Sequence, residues 1–316
     1  MMPKTILVTG AAGFIGFHTS KALLDRGDKV IGIDNLNDYY DTKLKEDRLK
    51  ILKKNPNFTF YKLDFSQGLD EIKEEIDIIC HLGAQAGVRY SITNPLVYEK
   101  YNTLGTLKVF EFARARTIKS VIFASSSSVY GNCSNPPFKE DYKLSTPISL
   151  YAATKISNEL FAHTYHKLFG INMTGLRFFT VYGPYGRPDM ALFDFTKKIL
   201  NNETIDVYNN GEMKRDFTYI DDIVNGVLLA IDKNYSFEIF NLARGESVNL
   251  MDFIKAIEKA LDKKAIINLM PLQAGDVLLT SGDISKAKVM LGYEPKVSIE
   301  KGVKEFTDWY KEYSKY

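Results

Sequence analysis

The sequence is poor in cysteine, histidine and net charge, and it has no long apolar run. Its 316 residues include two cysteines and four histidines, and 41 basic residues nearly balance 39 acidic ones, for a net charge of +2. No run of about 18 apolar residues occurs, and residues 1–4 lead directly into a strand pattern. The sequence therefore predicts neither a membrane span nor a signal peptide. The small net charge gives no reason to expect nucleic acid or an anionic membrane as a partner.

The positions of the cysteines and histidines exclude two further classes of protein. Cys80 falls in an apolar strand pattern and Cys133 in a loop, so we expect no disulfide framework, a reducing compartment and a cytoplasmic location. His163 and His166 share one face of a predicted helix. Because no cluster of carboxylates or cysteines accompanies them, we expect no metal site.

Three glycines follow the first predicted strand at a spacing typical of dinucleotide-binding loops. The apolar run 4–9 leads into Gly10, Gly13 and Gly16, and a helical pattern covers 17–26. In such a unit the first glycine permits a tight turn, the second lets the backbone approach the pyrophosphate, and the third allows close helix–strand packing. The spacing is G-x-x-G-x-x-G rather than G-x-G-x-x-G. A glycine turn without a ligand is the alternative interpretation.

An aspartate ends the second predicted strand at the position expected for a ribose-binding acid. Asp34 follows the strand 29–33 and lies 18 residues after Gly16. A carboxylate there accepts hydrogen bonds from the ribose diol and repels a 2′-phosphate, so NAD is favoured over NADP. Asn35 follows, and no arginine stands beside it to argue otherwise. Without the glycines, Asp34 could equally be a turn residue at a strand end.

Strand and helix patterns alternate through the first half of the chain. They predict a parallel, doubly wound α/β sheet of the Rossmann type, with strands at 58–63, 77–81 and 119–124 and helices at 41–54 and 95–116. Ligands bind beyond the carboxyl ends of the strands in such sheets. The glycine loop, Asp34, Asp64, Gly83 and the serines after 124 all fall at such ends. Their coincidence is a stronger signal than any one motif.

After about residue 180 the alternation becomes less regular. Patterns there predict strands at 205–208 and 236–242 and helices at 191–201, 221–232 and 249–262. No linker rich in glycine or serine separates the two halves. We therefore expect an NAD-binding domain over 1–180, with returning segments near 216–245, interleaved with a smaller mixed α/β substrate-binding lobe that takes up most of 181–316.

Tyr151 and Lys155 are four residues apart in a helical pattern, so they share one face of the helix. An ammonium beside a phenol favours the phenolate, so we expect Lys155 to lower the pKa of Tyr151. Such a phenol can take a proton from an alcohol and return it. The pair alone is a weak signal, because most such pairs are ordinary solvated helix residues.

Three stretches together resemble the extended short-chain dehydrogenase/reductase family of NAD-dependent nucleotide-sugar epimerases and dehydratases. They are the glycine loop 9–16, the run Ser-Ser-Ser-Ser-Val-Tyr-Gly over 125–131, and Tyr-x-x-x-Lys over 151–155. The resemblance implies that Tyr151 is the acid/base and that Lys155 assists it. It also implies that Ser126 is the third catalytic hydroxyl, uncertain by one residue within the serine run. It places these residues at the cofactor: Gly10, Gly13, Phe14, Ile15, Gly16, Asp34, Asn35, Asp64, Phe65, Leu82, Ala84, Asn102, Tyr151 and Lys155.

Within the family, the residues that precede Tyr130 distinguish the dehydratases and decarboxylases from the epimerases. Dehydratases and decarboxylases carry a carboxylate there, whereas this chain has Ser127 and Ser128. Elimination therefore lacks its proton-transfer groups, and reversible oxidation at C4 of the sugar, which is epimerisation, is favoured. The stretches 84–91, 176–184, 186–191, 213–222 and 273–277 resemble the UDP-glucuronate 4-epimerases most. A 4-epimerase of UDP-glucose or a UDP-N-acetylhexosamine and a non-catalytic NAD-binding regulator are the alternatives.

The resemblance also implies the substrate-binding residues and a homodimer. Oxidation at C4 of a uronate creates a β-keto acid, which loses carbon dioxide readily, and charge-assisted hydrogen bonds can hold its carboxylate away from the reactive orientation. Arg187 and Thr180 are the candidates for this, and a surface arginine is the alternative for Arg187. The resemblance adds Arg89, Ser127, Ser128, Arg215 at the diphosphate and Asp276 at the uridine. Family members pair through helices near 95–116 and 150–170, here with Leu107, Phe110, Leu160 and Phe161.

Overall fold

The computed structural model describes residues 3–133, 135–273 and 275–315. Within them the strands, in chain order, are β1 (Thr5–Thr9), β2 (Lys29–Ile33), β3 (Phe58–Tyr61), β4 (Ile78–His81), β5 (Ser120–Ser126), β6 (Asn172–Phe178), β7 (Thr180–Tyr182), β8 (Thr204–Tyr208), β9 (Lys214–Arg215), β10 (Phe217–Tyr219), β11 (Phe237–Leu242), β12 (Val248–Asn249) and β13 (Ile266–Met270). The α-helices are α1 (Phe14–Asp25), α2 (Thr42–Leu52), α3 (Val88–Thr93), α4 (Pro95–Tyr98), α5 (Gly105–Ala115), α6 (Leu150–Phe169), α7 (Ala191–Leu200), α8 (Ile220–Lys233), α9 (Leu250–Leu261), α10 (Ser285–Leu291) and α11 (Ile299–Tyr313).

Seven parallel strands form the central sheet, in the order β11-β6-β5-β4-β1-β2-β3. The strand order reverses between β1 and β4, where Val8 lies between Gly32 of β2 and Cys80 of β4. This reversal is the switch point at which doubly wound sheets bind ligands. The predicted parallel, doubly wound Rossmann architecture is confirmed.

Alternating side chains bury both faces of this sheet. In β1, Ile6 and Val8 join one core while Leu7 joins another on the opposite face. A strand buried on both faces reads as a continuous apolar run, which is why β1 could be recognised in the sequence. The first core continues without interruption into the C-terminal lobe, where it includes Phe253 and Phe306. That continuity explains the absence of a linker composition between the two halves.

The C-terminal lobe is a mixture of short strand pairs and helices. β8 pairs in parallel with β13, and β9 pairs antiparallel with β12. Two further short strands, β7 and β10, pair in parallel and were not predicted from the sequence. The strand β11 lies far along the chain but pairs with β6 at the edge of the central sheet. Among the helices of the described residues, none is long and apolar enough to cross a membrane.

The segment predicted as one helix over 95–116 is interrupted. It begins as α4, continues as a π-helix over Glu99–Leu104, and resumes as α5. The wider turn carries Asn102, which is fully buried and bonds both backbone groups of Gln85. Phe110, expected at a dimer surface, is instead fully buried. Its ring packs against Phe123 and His81, so it belongs to the core of one chain.

Candidate active site

A cavity of about 240 Å³ lies beyond the carboxyl ends of β1, β2, β4 and β5. It brings together twelve of the fourteen residues predicted to bind the cofactor. These are Gly10, Gly13, Phe14, Ile15, Gly16, Asp34, Asn35, Phe65, Leu82, Ala84, Tyr151 and Lys155. Convergence of distant chain segments on one cavity is the arrangement expected of a cofactor site. We call this space the cofactor cavity.

The glycine loop of the cofactor cavity has room for backbone only. Gly10 has a φ of +69°, and a Cβ atom there would lie 2.7 Å from the Cα of Gly83 after β4. A Cβ atom on Gly16 would lie 2.0 Å from the carbonyl oxygen of Gly10. The loop therefore turns sharply into the N-terminus of α1, whose free N–H groups suit a pyrophosphate. These features fit a dinucleotide.

Asp34 presents a buried carboxylate at the end of β2. Its oxygens accept hydrogen bonds from the N–H groups of Ala12, at 3.2 Å, and Leu36, at 2.8 Å. Burial raises the pKa of Asp34, while the nearby charge of Lys45 and the two N–H groups act in the opposite direction. Lys45 also lines the cavity, where its ammonium is held by Asn37 at 2.6 Å. The acid is thus fixed in place beside the space for a ribose.

Two predicted cofactor residues do not line the cavity. The carboxylate of Asp64 accepts hydrogen bonds from Ser66 and pairs with Lys100 at 3.2 Å. The amide of Asn102 bonds Gln85 and, at 3.2 Å, the hydroxyl of Thr154. Asn102 therefore stands behind the wall of the cavity and fixes the loop after β4 against α6.

A second cavity of about 860 Å³ lies between the central sheet and the C-terminal lobe. We call it the substrate cavity. All seven residues predicted to bind substrate line it: Arg89, Ser127, Ser128, Thr180, Arg187, Arg215 and Asp276. Seven side chains line both cavities and so mark their junction: Tyr39, Ser126, Tyr151, Phe178, Phe179, Arg187 and Met190. The tyrosine and serine predicted to be catalytic stand where the two spaces meet.

The helix α6 carries Tyr151 to this junction and Lys155 into the cofactor cavity. Its N-terminus is capped by Ser149, whose hydroxyl accepts a hydrogen bond from the N–H of Ala152 at 3.1 Å. Lys155 is buried, and its ammonium donates to the carbonyl of Ala124 at 2.8 Å. Burial lowers the pKa of Lys155 to about 8, and the charge of Glu159 opposes that shift.

The prediction that Lys155 lowers the pKa of Tyr151 is wrong for this structure. Burial raises the pKa of Tyr151, and the groups that act to lower it are Ser126, through a hydrogen bond, and Arg187, through its charge. The ammonium of Lys155 lies 5.9 Å from the centre of the Tyr151 ring and is directed at Ala124. The cation that favours the phenolate here is therefore Arg187.

The four serines after Ala124 have different partners. The hydroxyl of Ser125 donates to Glu159 at 2.6 Å and is turned away from the junction. Ser126 ends β5, donates to the hydroxyl of Ser128 at 3.0 Å, and is the serine that bonds Tyr151. Ser127 and Ser128 begin a 3₁₀ turn that lines the substrate cavity. Because successive side chains of a strand point to opposite faces, Ser126 lies beside the phenol of Tyr151 whereas Ser125 points towards Glu159.

Behind this strand end lies a buried ion pair. Arg177 in β6 donates from two nitrogens to the carboxylate of Glu159, at 2.9 and 2.8 Å. Both side chains are nearly inaccessible, at 4% and 9% exposure. Arg177 also donates to the hydroxyl of Tyr130 at 2.9 Å, which in turn donates to Asn241 in β11. This network joins α6 to strands of the central sheet.

Three of the cations in the substrate cavity have a carboxylate partner, and the fourth does not. Arg89 pairs with Asp276 at 2.8 Å, and its guanidinium lies 4.5 Å from the centre of the Tyr208 ring. Arg187 pairs with Asp189, and Lys198 pairs with Asp194. Arg215 instead donates to the carbonyls of Lys214 and Leu278 and forms no ion pair within the described residues. Its charge is the one left for an anionic ligand.

Sequence reasoning missed several residues that the structure places at the site. Tyr39 and Asp189 reach the junction of the cavities together, joined by a 3.0 Å hydrogen bond, and Tyr208 lines the substrate cavity. Asp189 belongs to the stretch 186–191, in which the resemblance singles out Arg187 alone as a binding residue. Ala274, in the stretch 273–277, lies outside the described residues. In the part of the chain that the structure describes, no three His, Cys, Asp or Glu side chains are placed to hold a metal ion.

Comparison with known proteins gives a consistent result. Residues 6–243 match the model of the NAD dependent epimerase/dehydratase family. An uncharacterised protein of Methanocaldococcus jannaschii is 59% identical, covering 99% of this chain and 98% of that protein. A UDP-glucuronate 4-epimerase of Thermodesulfobacterium geofontis is 46% identical, covering 97% and 96% respectively.

Solved structures of known enzymes share the whole architecture. The UDP-glucuronic acid 4-epimerase of Bacillus cereus, in complex with UDP-glucuronic acid and NAD, matches with a TM-score of 0.91 and 37% identity, over 98% of this chain and 99% of that one. The UDP-N-acetylglucosamine 4-epimerase of Methanobrevibacter ruminantium M1 matches with a TM-score of 0.90 and 32% identity, over 99% and 100%. The likeness therefore includes enzymes for charged and for N-acetylated sugars.

Replacement of the strand-end acid tests the cofactor cavity. We expect Asp34→Asn to weaken NAD binding about tenfold or more, because hydrogen bonds to a charged group contribute about 1.5–3 kcal/mol. The preference for NAD over NADP should shrink as well, because the charge that repels a 2′-phosphate is gone. Calorimetric titration with both dinucleotides measures this. Asp25→Asn, an exposed aspartate on α1, is the matched control. An unchanged ratio of the two affinities would contradict the role of Asp34.

Proposed function

This chain belongs to the NAD dependent epimerase/dehydratase family, and we propose that it interconverts UDP-glucuronate and UDP-galacturonate by epimerisation at C4. The protein is an isomerase whose cofactor is NAD. The observation that carries the proposal is the junction of the two cavities. There Tyr151 and Ser126 face both spaces, and Arg187 stands beside them.

The residues of the cofactor cavity fit NAD, and the carboxylate of Asp34 disfavours a 2′-phosphate. The glycine loop and the N-terminus of α1 receive the pyrophosphate, and Asp34 receives the ribose diol of the adenosine half. Lys155, in the same cavity and hydrogen-bonded to Ala124, is placed for the other ribose. When bound, NAD supplies the acceptor for hydride from C4 and the donor that returns it to the opposite face of the sugar.

The protein's own residues handle the proton. Tyr151 takes the proton of the C4 hydroxyl as C4 is oxidised and returns it as C4 is reduced. Ser126, which is hydrogen-bonded to Tyr151, is placed to bind the sugar oxygen that exchanges its proton with the phenol. The positive charge of Arg187 favours the phenolate against the effect of burial. Because the same groups act in both directions, no second substrate is consumed.

The carboxylates of the substrate cavity support epimerisation over elimination. Asp189, Asp194 and Asp276 are each paired with a cation, and Asp206 accepts a hydrogen bond from Asn268 at 2.8 Å. In the lining of this cavity no acid stands free beside Tyr151 to remove or deliver a second proton. A dehydratase needs such a group. The 4-keto sugar is therefore reduced again rather than dehydrated.

The cations of the substrate cavity support a nucleotide-linked uronate as substrate. Arg215, which forms no ion pair within the described residues, is available for the diphosphate. Arg187 and Thr180 line the same cavity as Tyr151, and the charge of Arg187 acts on Tyr151. A uronate oxidised at C4 is a β-keto acid, and directional hydrogen bonds to its carboxylate hold back the loss of carbon dioxide. We assign that role to Arg187 and Thr180.

A neutral or N-acetylated UDP-hexose is the second candidate substrate, favoured by the structural likeness to a UDP-N-acetylglucosamine 4-epimerase. A non-catalytic NAD-binding regulator is a third reading, from a different class. Tyr151, Ser126 and Lys155 all line the cofactor cavity, which argues against this function, since a regulator has no need of an acid/base there.

Parallel assays with UDP-glucuronate, UDP-glucose and UDP-N-acetylglucosamine decide among these functions. We expect UDP-glucuronate to yield its C4 epimer, detected by chromatography and NMR, with kcat/KM at least tenfold above that of either other sugar. The reason is that charge-assisted contacts to the carboxylate are absent with a neutral sugar. Turnover of a neutral sugar alone would overturn the proposal. Tyr151→Phe is the inactive control, and full activity in that variant would remove the phenol from the mechanism.

The pKa of Lys155 is expected to set the alkaline limit of the activity. Because burial lowers the pKa of Lys155 to about 8, its ammonium loses a proton above that pH and with it the charge that would bind the ribose of the cofactor. We expect kcat/KM to fall about tenfold per pH unit above that pKa. Circular dichroism at each pH separates this fall from unfolding. A rate that stays level to about pH 9.5, well above the pKa, would show that the ammonium is not required.

We also propose that the protein is a homodimer. Large apolar side chains are exposed on α4, α6 and the π-helical segment between α4 and α5: Leu96, Leu104 and Leu160 are 81%, 41% and 63% exposed. Leu107 and Phe161 are half-buried on the same helices, whereas Phe110 points into the core. Large apolar side chains exposed on neighbouring helices are typical of an interaction site. Burying these side chains against a second copy removes them from water.

A charge placed on this surface tests the dimer. We expect Leu160→Glu to shift sedimentation from dimer towards monomer, because burying an unpaired carboxylate costs several kcal/mol. Val289→Glu is the matched control, since Val289 is 85% exposed on α10, away from those helices. Equal sedimentation of all three proteins would contradict an interface at Leu160.

We propose a cytoplasmic location on the evidence of the thiols. Cys80 is buried in β4 and Cys133 lies in a loop, and neither is in a disulfide. Free thiols of this kind are typical of a reducing compartment.

A further inference from the structure

Arg187 is held by an acid two residues further along the chain. Its Nε donates to Oδ1 of Asp189 at 3.0 Å, and its Nη2 donates to Oδ2. The third guanidinium nitrogen, Nη1, takes no part in this pair. The two side chains are 21% and 33% exposed, so the pair is partly screened from water at the junction of the cavities. Such two-point pairs fix orientation as well as charge.

Asp189 is in turn held from the other side of the junction. The hydroxyl of Tyr39, in the segment that follows β2, donates to Oδ2 of Asp189 at 3.0 Å. The ring of Tyr39 packs 4.9 Å from that of Tyr90, Tyr90 lies 6.2 Å from Tyr98, and Tyr98 lies 6.0 Å from Tyr151. Burial is the largest influence and raises the pKa of Asp189, but the charge of Arg187 and the hydrogen bonds from Arg187 and Tyr39 together outweigh it, and the net pKa is lowered. Asp189 is therefore ionised at neutral pH.

The backbone that precedes Arg187 is fixed independently. Arg48 is fully buried and donates to the carbonyl of Ala12 at 2.7 Å and to that of Tyr185 at 2.6 Å. These bonds attach the loop before Arg187 to the glycine loop of the cofactor cavity. With the backbone fixed in this way, the direction of the Arg187 side chain depends on Asp189.

We propose that Asp189, held by Tyr39, is a positioning and specificity residue for the uronate reaction, an inference that rests on the function proposed above. It fixes the Arg187 guanidinium so that Nη1 remains for the carboxylate of the sugar. It also offsets part of the charge of Arg187, which weakens the attraction of this cation for anions that are not uronates. Directional donation, more than net charge, then distinguishes the substrate.

Substitution of Asp189 is expected to divert the 4-keto intermediate towards loss of carbon dioxide. A guanidinium released from Asp189 attracts the sugar carboxylate more strongly but no longer fixes its orientation. In the 4-keto intermediate, the carboxylate can then turn perpendicular to the ketone. The C5–C6 bond breaks, carbon dioxide leaves, the electron pair passes into an enolate with its oxygen on C4, and C5 takes up a proton. The product is a UDP-4-keto-pentose, while the cofactor stays reduced.

Product analysis with UDP-glucuronate tests this. In Asp189→Asn we expect the share of turnovers that release carbon dioxide to rise about tenfold over wild type, and KM for UDP-glucuronate to fall, since a competing negative charge is gone. In Arg187→Ala the share should also rise, but KM should increase about tenfold with the loss of charge-assisted bonds. The opposite movement of KM separates a positioning acid from the binding cation. NMR quantifies the keto-pentose, and absorbance at the reduced nicotinamide band follows the trapped cofactor.

Three further variants complete the test. Asp189→Glu restores a carboxylate on a longer side chain, so its carbon dioxide share should lie between those of wild type and Asp189→Asn. Tyr39→Phe keeps Asp189 and should raise the share about twofold, which decides the matter if Asp189→Asn does not fold. Glu246→Gln is the matched control, because it breaks another arginine–carboxylate pair, Arg244 with Glu246, that is also two residues apart and lines neither cavity.

Each outcome has a definite meaning. A wild-type product ratio in Asp189→Asn, even at a lower rate, would overturn the inference, as would a KM increase equal to that of Arg187→Ala. A wild-type ratio in Tyr39→Phe would do so where Asp189→Asn is unfolded. If wild-type protein converts only neutral UDP-sugars, the function proposed above fails first, and that result is seen before any variant is compared.

Discussion

The buried pair of Glu159 and Arg177 is the interaction on which the site depends. A buried ion pair contributes little net stability, but removal of one partner leaves an uncompensated charge and costs several kcal/mol. Here the pair spans α6, β5 and β6, because Glu159 also accepts a hydrogen bond from Ser125. Tyr151 and Lys155 stand about two turns and about one turn, respectively, before Glu159 on the same helix. The orientation of Tyr151 relative to the strand ends therefore depends on Glu159 and Arg177, which line neither cavity.

Burial and charge act in opposite directions throughout the site. Removal from water raises the pKa of Tyr151 and lowers that of Lys155, so each residue favours its neutral form. Arg187 and Glu159 oppose these shifts from either side. The result is a phenol whose protonation can be changed by one added charge, which suits a reaction that must run in both directions with the same group. A strongly acidic tyrosine would serve oxidation well and reduction poorly.

Much of this arrangement could be predicted from the sequence, for a geometric reason. Parallel strands end at one edge, so residues that follow β1, β2 and β5 had to meet, and most of the predicted cofactor residues do line one cavity. Side-chain contacts between residues far apart in the chain could not be predicted from the sequence. Tyr39 meets Asp189 across 150 residues, and Arg89 meets Asp276 across 187, with no local pattern that links them. Asn102 and Phe110 were misplaced for a related reason, since a π-helical turn changes which side chains face inward.

The late return of β11 to the central sheet has a consequence for synthesis. Its partner β6 ends at Phe178, whereas β11 begins about 60 residues later, at Phe237. While the nascent chain emerges from the ribosome, β6 is an open edge strand whose backbone groups can pair with any neighbouring polypeptide. The intact chain covers that edge with its own later segment. The hazard of misassembly is thus concentrated in the interval of translation between these two strands, and a transcript cut short there yields a chain with a bare edge.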